Sequence, residues 1–353
     1  MSQNPQLRFE GKVVDDTKSH SLNNAETFTN INPFKNEDCT SNEAGFFSIR
    51  TANECINDAK TQPIPEKLYY SLWFEHELTI LFADTGAGKS IYAVQIAEHI
   101  SSIRKVLYLD LELSDKQFQN RYSDNYTNEH IFRDNFYRIN FKSRYTVPTG
   151  TTYENYFIES LRSLIETTGA RVVIIDNMTR LISGDTDKAN SAKPLMDRLN
   201  DLKFEYQLSI LCLEHTRKTD SYHPISLNDL QGSKMKANFA DAAFTIGRSS
   251  KDKNVRYVKQ LKCRSCEIEY DSENVCTYEL IKEINFLQFK FIGYNAEAEH
   301  LIQQTDTDKA KRLIDVLELR NSGKSNIEIA NIYGVTEGSV RKWIKKAETK
   351  KTL

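Results

Sequence analysis

The stretch Leu78-Thr-Ile-Leu-Phe-Ala-Asp-Thr-Gly-Ala-Gly-Lys-Ser90 constrains this chain more than any other. Leu78 to Phe82 is an apolar run of strand length, and Ile91-Tyr-Ala-Val-Gln-Ile-Ala continues at helical period. Strand, glycine-bearing loop and helix in that order are the setting of a phosphate-binding loop. Its backbone N–H groups and the helix N-terminus offer partial positive charge to a bound phosphate. On this reading Asp84, Thr85, Gly86, Ala87, Gly88, Lys89, Ser90 and Ile91 line a nucleotide site. Lys89 reaches the outer phosphates and the Ser90 hydroxyl ligates magnesium. The usual pattern, G-x-x-x-x-G-K-[ST], starts on glycine where this chain has Ala83. That position shapes the strand exit, where a methyl group is tolerated as long as φ stays negative.

At 353 residues the chain can hold one large domain and a small one. With 47 basic and 49 acidic residues, any binding of nucleic acid must come from local patches. The longest apolar runs are strand length, far short of a membrane span, and the start, Met-Ser-Gln-Asn-Pro-Gln, has no signal-peptide pattern. Six scattered cysteines in a chain of this length point to reduced thiols and the cytoplasm. Cys263 and Cys266 form a C-x-x-C without the second pair that a zinc site needs.

Residues 1–45 are polar and aperiodic, and read as a disordered arm. A short strand and a helix capped by Thr51 are expected between Phe46 and Lys60. Beyond the loop helix, apolar strands are expected at 105–113, 136–141, 171–177 and 208–215. They alternate with helices starting near Ser114, at 153–168 (stopped by Gly169) and at 191–206. Such alternation predicts an α/β core with a largely parallel, twisted sheet. Four further β-rich segments, 242–248, 255–262, 276–281 and 287–294, have short polar connections and predict an antiparallel extension of that sheet. Residues 46–295 thus form the main domain, 296–308 a linker, and 309–353 a small all-α unit of three helices.

Chemistry-bearing residues fall at the strand ends. Asp176 closes an apolar run, where a carboxylate needs a charged partner, and beside the loop that partner is the magnesium shell. Glu112 ends the adjoining strand and could deprotonate an attacking water, with Asp110 a competitor for the role. His215 follows another strand and could sense the γ-phosphate, with Arg217 and Lys218 next to it in reach of phosphate or nucleic acid. Lys262 and Arg264 share one strand face. They could reach a neighbouring subunit's γ-phosphate if that edge abuts one.

Taken together, Ala-Asp-Thr-Gly-Ala-Gly-Lys-Ser, Leu-Asp-Leu-Glu-Leu-Ser, Val-Ile-Ile-Asp-Asn, Leu-Glu-His-Thr-Arg-Lys and Lys-Cys-Arg resemble the RecA/DnaB superfamily. The likeness spans residues 65 to 295, with the RepA-like plasmid helicases and their mobile-element relatives the nearest type. It implies a RecA-like fold, ATP hydrolysis with magnesium at subunit interfaces, and commonly a hexameric ring. By position it makes Glu112 the catalytic glutamate, Asp176 the magnesium aspartate, His215 the γ-phosphate sensor and Lys262 with Arg264 the pair supplied in trans. In a ring, Lys188, Lys193 and the stretch Lys218 to Asn228 would face single-stranded DNA.

The C-terminal segment Gly323 to Ile344 is similar to a helix-turn-helix unit. Its expected core is Ile327, Ala330, Ile332, Val335, Val340 and Ile344. Thr336, Ser339, Arg341, Lys342 and Lys345 would then face or flank duplex DNA. From 341 onward, six cations stand against the single acid Glu348. The whole reads as an oligomeric, ATP-hydrolysing DNA motor or helicase loader of a plasmid, phage or transposable element. The alternative is an ATP-switched DNA-binding regulator that recruits a partner without translocating.

Overall fold

The computed structural model describes residues 43–44, 47–142, 146–181, 189–217, 222–231, 233–302, 306–333 and 335–351. Two units separate, Met1–Ile64 and Pro65–Leu353. In the first, Glu43–Ala44 pairs antiparallel with Phe47–Ser48, and α1 (Ala52–Ala59) follows. Thr51 caps it as expected, its hydroxyl accepting from the Glu54 N–H while Glu54 reaches back to the Thr51 N–H. Apart from Glu43–Ala44, the arm expected over 1–45 lies outside the described residues.

The second unit is built on nine strands: β1 (Leu78–Ala83), β2 (Val106–Asp110), β3 (Phe136–Ile139), β4 (Val172–Asp176), β5 (Ser209–His215), β6 (Ala242–Arg248), β7 (Val255–Lys262), β8 (Val275–Glu283) and β9 (Phe286–Asn295). Their order in the sheet is β9-β8-β7-β6-β1-β5-β4-β2-β3. From β6 to β3 all neighbours run parallel, and β6 to β9 are joined antiparallel. The α/β class, the parallel sheet and its antiparallel extension are therefore those the sequence predicts. β1 is buried along its whole length, which is why Leu-Thr-Ile-Leu-Phe-Ala shows no polar alternation.

Helices α2 (Lys89–Ile100), α3 (Asp115–Arg121), α4 (Tyr153–Thr168), α5 (Ala189–Tyr206) and α6 (Ser233–Phe239) connect the strands. The sheet has an apolar cluster on each face. One contains α2 with Tyr108, Leu211 and Phe244, the other α4 and α5 with Leu107, Val173 and Ile210. Gly169 ends α4 in the left-handed region at φ 69°, the turn the sequence anticipates there. The extension also packs over α2. Tyr92 lies against Phe244, Tyr278 and Phe289, and the Gln95 amide both donates to the Phe289 carbonyl (3.1 Å) and accepts from its N–H (2.8 Å). This brings β9 over the loop helix although three strands separate it from β1 in the sheet.

The segment expected to be a linker, 296–308, begins inside the core. Glu297 is fully buried, paired with Lys259, and accepts from the Ile225 N–H at 2.8 Å. His300 is buried beside it, stacked on Tyr257. An alanine- and glutamate-containing stretch gives no apolar signal, so this anchor is invisible to periodicity.

After it come α7 (Asp306–Asn321), α8 (Asn326–Tyr333) and α9 (Glu337–Lys351). Their core is Val316, Ile329, Ala330, Val340 and Ile344. Ile327 and Ile332, expected in it, are instead exposed, because α8 turns Ile329 and Ala330 inward. Among the described residues no helix is long and apolar enough to cross a membrane.

One buried ion pair ties α6 to β5. Lys236 Nζ lies 2.6 Å from Glu214 Oε1, with both side chains 1% exposed. Burial pushes the Glu214 carboxyl up, and the Lys236 cation pulls against that. Removing one partner strands the other charge, so Lys236→Ala should destabilise the fold by about 3–5 kcal/mol. Pairing Lys236→Met with Glu214→Gln should recover most of that loss. Denaturant titration of the three proteins checks both expectations; a near-neutral single mutant would show that the pair carries no such weight.

Candidate functional site

The C-terminal edge of β1, β5, β4 and β2 gathers most of the residues singled out in the sequence. Parallel pairing sets His215 level with Ala83 and Asp176 level with Asp110. The loop Asp84–Gly88 then turns on two glycines with positive φ, 74° at Gly86 and 105° at Gly88. Both are also tightly covered. A Cβ on Gly88 would meet Phe289 at 2.8 Å, and one on Gly86 would meet the Arg248 guanidinium at 2.9 Å. Conformation and space both call for glycine.

Lys89, the first residue of α2, folds back under the loop. Its Nζ donates to the Ala83 carbonyl at 2.7 Å and the Asp84 carbonyl at 3.3 Å, and lies 3.4 Å from His215 Nδ1. Burial pushes the ammonium below its usual range, while Asp176, Asp84, Glu112 and Glu214 act in the opposite sense. Asp176 is buried and accepts from the Tyr108 hydroxyl at 2.6 Å. Burial raises its carboxyl to about 6; Ser90 and Tyr108 lower it, and Asp110 and Glu112 repel it.

These oxygens test the fit of magnesium. A buried carboxylate crowded by two others, with a serine hydroxyl beside it, offers hard ligands and an unbalanced negative charge, which suit a small divalent cation. Among the described residues no three His, Cys, Asp or Glu side chains form a metal cage. Magnesium requires none, since it takes one or two protein ligands and completes its shell with phosphate and water.

The two acids at the end of β2 and just beyond it are separated by their partners. Asp110 is buried, binds Arg138 Nε at 2.9 Å, and accepts from the Glu112 and Leu113 N–H groups at 3.2 and 2.9 Å. Glu112 is exposed and accepts from Asn177 Nδ2. β2 stops at Asp110, so Glu112 lies two residues past the strand it was expected to end. Asn177 also lies 3.2 Å from His215 Nε2 and accepts from the Thr179 hydroxyl. Burial, then the Lys89 charge, lowers the His215 pKa.

Lys262 and Arg264 lie elsewhere on the chain. β7 runs antiparallel, so Lys262 sits opposite Ala243, which is level with Ile80 near the start of β1. Lys262 donates to the Ala237 and Ala240 carbonyls at 2.7 and 2.6 Å, and Arg264 to Asp241 Oδ1 at 2.9 Å. Neither meets the loop of its own chain. Of the residues assigned to DNA, Lys188 and Lys218 lie outside the described residues. Lys193 is exposed on α5 and pairs with Asp197 at 2.7 Å. The Arg217 N–H donates to the Asp229 carbonyl. Thr336 caps α9, its hydroxyl 3.0 Å from that of Ser339. Arg341 pairs with Glu337, while Lys342 and Lys345 are exposed on the same helix.

Sequence reasoning missed the residues that hold the loop from outside. Arg248 donates to the Thr85 carbonyl at 2.6 Å, and Arg256 to the Ala87 carbonyl at 3.0 Å. Asn177, Tyr108 and Phe289 were missed as well. Asn177 was the one within reach, since it follows Asp176 directly at a strand end.

Residues 49–221 match a family model described as an AAA domain, a stretch that runs from α1 through the loop, Glu112, Asp176 and His215. A search of curated protein sequences gives no match. Among solved structures, a DnaB-like replicative helicase described with its interactions with primase aligns at 15% identity and a TM-score of 0.49, over 67% of this chain and 66% of that one. A KaiC-like protein from the hyperthermophilic archaeon Pyrococcus horikoshii aligns at 12% identity and a TM-score of 0.44, over 62% and 90%. The AAA domain match thus contains the whole of the loop and the acids and histidine gathered around it.

Arg256 generates a test of the loop's outer support. Its guanidinium is buried, and its bond to Ala87 is charge-assisted, a class worth about 1.5–3 kcal/mol. Arg256→Met should therefore weaken nucleotide binding about 10- to 100-fold, and Arg248→Ala, at an exposed position, should do so less. Calorimetry with proteins of matched thermal stability checks the order; equal affinity in all three would remove the arginines from loop positioning.

Proposed function

We propose that this chain is an ATP-hydrolysing, oligomeric motor or loader acting on DNA of a plasmid, phage or transposable element. The reading rests above all on the meeting of Lys89, Ser90, Asp176, Glu112 and His215 around one glycine loop. Lys89 takes the outer phosphates, leaving the Ala83 and Asp84 carbonyls it now holds. Ser90 and Asp176 would hold magnesium, which would supply positive charge against that developing on the transferred phosphoryl group. Glu112 orients the attacking water and accepts its proton.

Asn177 and His215 connect these events. A neutral imidazole has one nitrogen lone pair, so His215 accepts from Lys89 or from Asn177 but not from both. When Lys89 turns to the phosphates, the lone pair on Nδ1 loses its donor. The other tautomer then accepts from Asn177, which also binds Glu112. Phosphate occupancy is in this way conveyed from Lys89 to the catalytic glutamate. Arg264 acts on the loop of a neighbouring copy, leaving Asp241 to do so, with Lys262 beside it. The hexamer and the DNA-facing roles of Lys188, Lys193, Arg217 and Lys218 belong to the same proposal.

A second reading is favoured by the C-terminal unit. Three helices around one small core, the last bearing Arg341, Lys342, Lys345 and Lys346, suit a helix-turn-helix that docks on duplex DNA. A ring that only tracks single strands does not need one. Under this reading the protein is an ATP-switched regulator that recruits a partner.

Glu112→Gln should bind ATP as tightly as the parent and hydrolyse it at least about 100-fold more slowly, since an amide cannot accept the proton. Single-turnover hydrolysis beside calorimetry reads this, and near-parental turnover would take the base role from Glu112. Strand displacement assayed beside duplex binding separates the two readings. Displacement driven by ATP identifies the motor. Site-selective duplex binding, tightened by ATP and without displacement, identifies the regulator.

A further inference from the structure

Cys263 and Cys266 bracket Arg264 where the chain leaves β7. Their Sγ atoms lie 3.1 Å apart, and residues 264–266 form a bend. A disulfide needs about 2.05 Å, so closure requires a shift of about 1 Å in an irregular segment. Both cysteines are free and half-buried; of the other described cysteines, Cys55 is exposed and Cys212 and Cys276 are buried. No third ligand completes a metal cage around the pair among the described residues, which leaves dithiol chemistry. The neighbours already hold this turn in place. Arg264 Nη1 donates to Asp241 Oδ1 at 2.9 Å, Ser265 donates to Glu77, and Cys266 Sγ lies 4.0 Å from the Ser71 carbonyl.

We infer that Cys263 and Cys266 are a modification site that closes reversibly to a disulfide in exchange with a small-molecule disulfide, and that the closed form cannot use Arg264 in ATP turnover. The second half rests on the reading of Arg264 as a residue acting on a neighbouring copy.

Burial, then its bond to Cys263, pushes the Cys266 thiol up to about 12. The Cys263 thiolate attacks one sulfur of the small disulfide; that S–S bond breaks and one thiolate leaves, taking a proton. Cys266, deprotonated by solvent base, then attacks the Cys263 sulfur of the mixed disulfide, and the second thiolate leaves. Two electrons and two protons pass to the small disulfide, which becomes two thiols. The product is a ring of four residues with Arg264 inside it. Reaching another copy's phosphate requires Arg264 to leave Asp241 and swing outward, and the ring fixes the backbone from which it would swing.

The test uses the full chain and glutathione disulfide as the probe. Peptide mapping should find a Cys263–Cys266 link, reversed by dithiothreitol. ATP turnover should fall about 10-fold or more, at most by the roughly 10³- to 10⁵-fold that an arginine acting in trans supplies, at unchanged ATP affinity. Cys266→Ser and Cys263→Ser proteins should keep their turnover under the same treatment. If no such link forms in the folded protein, the disulfide assignment is overturned. If the link forms and turnover is unchanged while Arg264→Ala protein is inactive, the effect on Arg264 is overturned although the trans reading survives. If Arg264→Ala protein is fully active, the trans reading fails and the turnover half falls with it, while the peptide map still decides the disulfide.

Discussion

Four carbonyls of the glycine loop, those of Ala83, Asp84, Thr85 and Ala87, are held by cationic side chains of Lys89, Arg248 and Arg256. Peptide groups in so sharp a turn must send their N–H and C=O vectors apart. Turning the Thr85 and Ala87 carbonyls toward the two arginines leaves the opposite side of the loop electropositive, which is what an anion needs. Gly86 and Gly88 permit the turn, and the positive φ at both excludes most side chains. The arginines are set by the sheet, Arg248 at the end of β6 and Arg256 near the start of β7, while Lys89 starts α2.

That arrangement explains what the sequence shows and what it hides. Strands β1 to β9 are legible because apolar runs, glycine stops and caps such as Thr51 and Ser114 are local signals. The loop contacts of Arg248, Arg256 and Phe289 are not local, since they arise when the antiparallel extension packs over α2. Nothing near Arg256 in the chain distinguishes it from any strand arginine. Glu297 is hidden for a similar reason: its partner Lys259 is 38 positions away, and a buried charge leaves no periodic trace.

The acids at the end of β2 and just beyond it show the same division on a smaller scale. Position in the chain names both Asp110 and Glu112, and their partners separate them, Arg138 on Asp110 and Asn177 on Glu112. In the C-terminal unit, isoleucines at 327, 329 and 332 occur around α8, so the sequence leaves its helical phase open. Packing against Val316 and Val340 resolves it in favour of Ile329. Lys262 and Arg264 were placed on one strand face, but their present partners, the end of α6 and Asp241, follow from the turn that begins β6.

Lys262 and Arg264 lie away from the loop of their own chain, so the role proposed for Arg264 requires a second copy. On the proposed reading, each copy would supply one loop with Lys89 and present Arg264 to another. Mixing Arg264→Ala protein with Lys89→Ala protein tests this directly, because one mutant retains intact loops and the other intact arginines. With mixed oligomers verified by mass measurement, the account predicts that ATPase activity absent from either mutant alone returns on mixing. A mixture that forms mixed oligomers yet stays as inactive as its components would contradict it.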